Sequence, residues 1–305
     1  MHGETPDVRT DVSGGGAAPS AAAVPVAAAL LVVYVVWGST YLAIRIALDG
    51  MPPLLMAGSR FLLAGGILYV VLRAAGTAAP TPAQWRNALV VGACLFVGGN
   101  GLVTIAAQWV SSGLVALGVA AVPLWAVLFA SVRDGRPRAV EALGLAIGLG
   151  GGVLLNAGTE LGGKPLGALA CLASSLSWAF GSMWTRGRDL PAGLMAPAAE
   201  MLGGGALMSA LGLAWGERLT ALPPAAPVAA FVYLVTFGSL VAFSAFHWLL
   251  HRVRPALATS NSFVNPVVAV ALGAVLAGEH VGRHEVVAMA AILGGVGLVA
   301  AGSRG

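Results

Sequence analysis

Two charged side chains stand where charge is expensive. Arg60 follows Met56-Ala57-Gly58-Ser59 and precedes Phe61-Leu62-Leu63-Ala64, and Glu200 lies between Ala198-Ala199 and Met201-Leu202. A charged side chain at the centre of a bilayer costs about 2.5–3.5 kcal/mol on insertion scales, so such groups face a protein interior and mark ion or substrate paths. Arg60 suits the anchoring of a carboxylate through paired charge-assisted hydrogen bonds. Glu200 suits a proton or a cation, and a structural salt bridge between the two is the competing reading. Counting about 1.5 Å per residue puts them within about 5 Å of the same height, facing the interior to pair or share water. Amides and rings supply the rest of a plausible cavity. Asn100 sits in Gly98-Gly99-Asn100-Gly101, while Asn261 and Asn265 are four apart and share one helix face just before Pro266. An unpaired amide in lipid costs several kcal/mol, so each of these needs a neighbouring helix or a ligand. Trp37, Tyr41 one turn beyond it, and Trp178 are suited to stacking and cation–π contacts.

Other chemistry-bearing residues have simpler readings. Arg45 precedes Asp49 by four residues near the end of an apolar stretch, a spacing that lets it snorkel and pair. His247/His251 and His280/His284 are two His-x-x-x-His pairs, but on opposite sides of the membrane and short of the ligand count zinc requires. No metal or cofactor site is expected. Cys94 and Cys171 lie in apolar stretches and outline no disulfide framework. A membrane-embedded enzyme, the rival class, lacks its residues: there is no Gly-x-Ser-x-Gly, and Asp49, Asp134 and Asp189 fall on different loops.

The elements that must position these groups are membrane helices. Of 305 residues, 58% are hydrophobic and only 9% charged, against about 25% charged in soluble domains. At about 20 apolar residues per crossing, the chain divides into ten spans: 26–47, 54–73, 87–108, 113–132, 139–158, 166–185, 193–214, 227–250, 255–277 and 285–302. The fold class expected is an all-α polytopic membrane protein. Of sixteen Lys and Arg, eleven fall on one side, three on the other and two within spans. By the positive-inside bias both termini are cytoplasmic, and the basic balance is a topology signal, not a nucleic-acid one. Residues 1–25 are rich in Gly, Ala and Pro and read as a disordered cytoplasmic tail. Gly144, Gly148 and Gly152 form a small-residue ridge suited to close helix packing or a dimer seam.

The chain also repeats itself at about 140 residues. Pro52, Leu55, Met56, Gly65 and Gly66 match Pro191, Leu194, Met195, Gly204 and Gly205, while Pro123 and Glu141 match Pro266 and Glu285. Five spans per half is an odd number, so the halves must be inserted in opposite senses, the pattern of secondary transporters with a midplane site between repeats. Pro123 and Pro266, each near the middle of a span, are the expected helix breaks. Trp37-Gly38-Ser39-Thr40-Tyr41-Leu42-Ala43-Ile44-Arg45, Pro52-Pro53, Arg60-Phe61 and Ala64-Gly65 resemble the first repeat of the EamA family, within the drug/metabolite transporter superfamily. Asn265-Pro266, Gly278-Glu279 and Gly294-Gly295-Val296 resemble its second repeat, although Gly135-Arg136 stands where a matching Gly-Glu pair would fall. The resemblance covers residues about 30–302 and implies two inverted five-helix repeats, here 26–158 and 166–302. It also implies an inner-membrane exporter of small metabolites, amino acids or drugs, with a passive channel or an exchanger of the same superfamily as the alternative. The expected partners are a small-molecule substrate, the bilayer and, as candidate coupling ion, the proton; monomer and homodimer both remain open.

Overall fold

The computed structural model describes residues 23–106, 108, 119, 121–122, 125–126, 128–129, 138–156, 165–277 and 282–302. All regular structure among them is helical: α1 Ala23–Leu48, α2 Pro53–Ala74, α3 Pro82–Ala106, α4 Ala139–Asn156, α5 Pro165–Trp184, α6 Met195–Ala214, α7 Ala225–Leu250, α8 Asn261–Ala277 and α9 Arg283–Gly302. A single turn, Pro255–Ala258, precedes α8. α1, α2, α3 and α7 are long and apolar enough to cross a membrane. Most of the expected span at 113–132 lies outside the described residues, as do Pro123, Gly135-Arg136, Gly278-Glu279, His280 and all of the expected tail but Ala23–Pro25, which begin α1.

Local chemistry sets the helix ends. Pro53, Pro82 and Pro255 open their helices, where the missing N–H is one that no intrahelical partner would have met. Thr81 and Gln84 close a reciprocal capping box at α3. α2 and α6 stop in the same way: Gly76 and Gly216 both take φ +86°, a conformation that costs glycine least. Behind them, Thr77 N–H reaches the Leu72 carbonyl at 3.0 Å and Glu217 N–H reaches that of Gly212 at 2.9 Å. These stops recur at the repeat interval.

The packing pairs the halves. α2 lies along α6, and α4 along α9; α1 crosses onto α7 and α8, and α5 onto α3. The α2–α6 crossing is a backbone contact. A Cβ on Gly65 would stand 2.8 Å from Leu202 N and 2.9 Å from Ala198 O, and one on Gly205 would stand 2.8 Å from Leu62 N. The small-residue ridge of α4 is used within the chain, since a Cβ on Gly144 would stand 2.6 Å from the Gly295 carbonyl of α9. Without a strong hydrophobic drive between helices in lipid, this closeness is what holds them. Between the halves runs one apolar cluster centred on Trp37, Phe61, Phe96, Phe243 and Phe246.

Three helices depart from regular winding. α3 widens to π-type turns over Ala93–Gly101 and α7 over Leu234–Val241, at matching places in the two repeats. The path from the Pro255–Ala258 turn into α8 is interrupted at Thr259–Ser260. This corrects the expected break at Pro266, which lies inside continuous α8. By starting afresh at Asn261, the helix puts Pro266 early, where its missing N–H leaves the Ser262 carbonyl without a ladder partner.

Replacing Gly65 with Ala should destabilise the α2–α6 crossing by about 1–3 kcal/mol through overpacking. The same change at Gly66, whose Cβ would meet only Leu202 Cδ2 at 4.0 Å, should leave the unfolding midpoint in detergent near that of the parent.

Candidate functional site

A cavity of about 670 Å³, with the open space at its mouth included, lies between the halves. Trp37, Tyr41, Arg60, Asn100, Trp178, Asn261 and Asn265, the seven residues marked from sequence for substrate contact, all line it. So do Thr40, Phe61, Phe96, Ser174, Phe243 and Ser262, which the sequence reading passed over. Small hydroxyls and phenylalanines are common in membrane helices, and only their place in the fold marks them out.

Each wall follows from a helix irregularity. Wide turns shift the ladder and turn carbonyls outward, and the opposite repeat meets them. Ser174 and Ser177 of α5 donate to the Gly99 and Cys94 carbonyls of α3 at 2.8 and 2.9 Å. In the other half, Trp37 Nε1 of α1 donates to the Gly238 carbonyl of α7 at 3.0 Å. Asn100 Nδ2 reaches back to the Leu95 carbonyl at 3.4 Å. At the interruption before α8, Tyr34 and Ser260 share a hydrogen bond of 2.6 Å, and Thr259 Oγ1 donates to the Pro255 carbonyl at 2.8 Å. The Asn261 amide, with both ends satisfied, donates to the Ala258 carbonyl and accepts from Ser262 N–H. Asn265 Oδ1 is buried and meets no donor among the described residues, which leaves an acceptor in the cavity wall.

Arg60 is the charged group among the described lining residues. It is 4% exposed; its Nε donates to Ser239 Oγ at 2.8 Å, and its guanidinium carbon stands 4.4 Å from the Phe61 ring centroid. No carboxylate pairs with it among the described residues. Glu200 is elsewhere. It is fully buried beside His247, Nδ1 to Oε2 3.6 Å, and does not line the cavity. Arg60 and Glu200 therefore do not form the pair that depth counting suggested. α6 begins at Met195, so Glu200 is five residues in, and Arg60 is seven residues after Pro53 at the opposite end. At about 1.5 Å per residue those depths leave about 12 Å of a 30 Å core between them.

An aromatic layer closes one side. Phe61–Phe96, Phe96–Phe243, Phe243–Phe246, Phe246–Trp37 and Trp37–Trp178 stand 4.1, 4.9, 6.4, 5.0 and 5.5 Å apart between ring centroids. Beyond it lies the arginine-rich end, tied shut by polar contacts. Arg254 Nε meets Glu141 Oε1 at 2.9 Å, Arg138 Nη1 donates to the Gly302 carbonyl at 3.0 Å, and Gln84 Nε2 donates to Asp189 Oδ1 at 3.0 Å. The cavity lies on the other side, toward Ile44 and Val103 near the far ends of α1 and α3. At that far end the Glu217 carboxylate accepts from Leu54 and Leu55 N–H at 3.1 and 2.8 Å, satisfying the start of α2.

The EamA-like transporter family matches twice, over residues 24–157 and 165–301. The chain belongs to that family. It is 45% identical over 271 residues to the uncharacterized inner membrane transporter YedA of Escherichia coli K12, covering 88% of this chain and 89% of that one. It is 25% identical to protein PagO of Salmonella typhimurium, over 87% and 90% of the two chains. A probable amino-acid metabolite efflux pump of Escherichia coli K12 is 29% identical over 171 residues, 51% of this chain and 52% of that one. One solved crystal structure superposes with a TM-score of 0.75 at 21% identity, over 92% of this chain and 98% of its own, and shows the shared fold. This EamA-like chain is a membrane transporter.

Ser239→Ala removes the side-chain acceptor of buried Arg60 Nε and should lower stability in detergent by about 1–3 kcal/mol; Ser239→Thr, which keeps the hydroxyl, should recover most of that loss.

Proposed function

We propose that this transporter exports small metabolites bearing a carboxylate, amino acids foremost, by alternating access around the Arg60 cavity. The observation that carries the reading is the buried Arg60 guanidinium, facing the cavity with no carboxylate opposite it among the described residues. A buried cation of this kind favours an anionic ligand. The orphan Asn265 oxygen can accept from the ligand's ammonium group, and Trp37 and Trp178 offer faces for an apolar side chain. The name of the efflux pump among the relatives points the same way. In this reading ten spans form two inverted five-helix repeats with both termini and the arginine-rich end cytoplasmic. The conformation described is then closed toward the cytoplasm by the aromatic layer and the Glu141–Arg254 bridge, and rocking of the halves opens the other side.

The aromatic walls also suit a multidrug exporter, and one experiment separates the two readings. Proteoliposomes would be loaded with labelled amino acids or with a cationic dye. Saturable amino-acid efflux without dye efflux is the expected result, and dye efflux alone would overturn the carboxylate reading. Arg60→Gln should raise the half-saturating amino-acid concentration about 10–100-fold, the worth of one charge-assisted interaction. It should change little for an amino-acid amide that lacks the carboxylate.

A further inference from the structure

Across the aromatic layer from the cavity lies a polar cluster that substrate binding does not use. Glu200 on α6 is fully buried, and among the described residues neither carboxylate oxygen has a hydrogen-bond partner. His247, also buried in the last turn of α7, holds Nδ1 3.6 Å from Glu200 Oε2. Its ring lies 4.9 Å from that of His251, which follows α7 and is exposed at the arginine-rich end. The fixed cation of this corner is Arg186, which donates to the Leu250 and Val253 carbonyls. α2 and α3 also pack on α6, and among the described residues neither brings a group within ion-pair distance of Glu200.

A carboxylate without donors in a dry site is costly. One proton shared with the adjacent imidazole leaves the pair without net charge, whichever partner carries it. Loss of that proton would strand a buried anion unless water entered. Water would reach this site if α6 and α7 parted, the movement that would open the arginine-rich end.

We propose that Glu200 and His247 together form a proton-binding site that holds one proton while this end is shut and releases it through His251 when the end opens. The proton passes from the pair to the His251 imidazole and then to water, leaving a solvated carboxylate, and no other bond changes. Partial burial, and then the neighbouring His247, hold His251 below the ordinary imidazole pKa, so its ring is neutral near pH 7 and free to accept. The site stands on this cluster alone, and only its part in export rests on the function proposed above.

The first test needs no substrate. Infrared pH-difference spectra of the full chain in lipid should contain a carboxyl–carboxylate conversion that is missing in Glu200→Gln and moved along the pH axis in His247→Gln. Spectra of Glu200→Gln identical to those of the parent would overturn the proposal. In the second arm, substrate exchange is followed as pH is varied. The parent should slow as pH falls, because proton release accompanies opening in this proposal, and Glu200→Gln should be flat with pH. A Glu200→Gln profile that matched the parent's would also overturn it. Absence of transport in the parent would count against the exporter reading while the infrared result still decides the proton site.

Discussion

In a chain this apolar, a polar group that its own helix does not satisfy must be satisfied by another helix, and that constraint shapes the centre of this transporter. Regular winding pairs every backbone group internally and leaves nothing for a ligand. The wide turns of α3 and α7, at matching places in the two repeats, and the interruption before α8 give up that self-sufficiency. Ser174, Ser177 and Trp37 restore it at the wide turns from other helices, and Thr259 and Ser260 restore it locally at the interruption. The polar cavity is where these repairs converge. Its walls are bistable in principle, since a carbonyl met by a hydroxyl or an indole N–H from a separate helix can be released by moving that helix, whereas a ladder bond cannot.

The repeat makes this economical. Trp37 meets the wide turn of α7, and the serines of α5 meet the wide turn of α3, so each half closes the defect of the other. The first helix of each repeat is thus tied to the third helix of its counterpart, while α2–α6 and α4–α9 are held by glycine-backed contacts of the second and last helices. Close backbone contacts tolerate little sliding. Hydroxyl and indole contacts exchange more readily. A rocking motion would therefore pivot on the glycine crossings and rework the side-chain bonds around the cavity.

Much of this was legible in the sequence because it follows from periodicity and cost. The apolar helices and the repeat come from apolar length and ordered internal matches, and the seven cavity residues were marked because an amide, a cation or an aromatic ring within a span must find a use. What was not legible depends on the third dimension. The wide turns have no sequence signature beyond a run such as Gly98-Gly99-Asn100-Gly101. Ser239 matters only because α7 brings it to Arg60. The Arg60–Glu200 depth comparison failed because Glu200 lies only five residues into α6, and a few residues at about 1.5 Å each decide whether two groups meet.

The separation of Arg60 from Glu200 is itself informative. Had they paired, the guanidinium would be neutralised within the protein, and a ligand carboxylate would have to displace Glu200 from it. With the layer of Phe243, Phe246 and Trp37 between them, Arg60 keeps its charge for the cavity side, while Glu200 stands beside His247 on the other. Anion and proton can then occupy the protein at once without competing for one residue. On the proposed reading, coupling between them would pass through the aromatic layer, and so through the same contacts whose rearrangement would open the arginine-rich end.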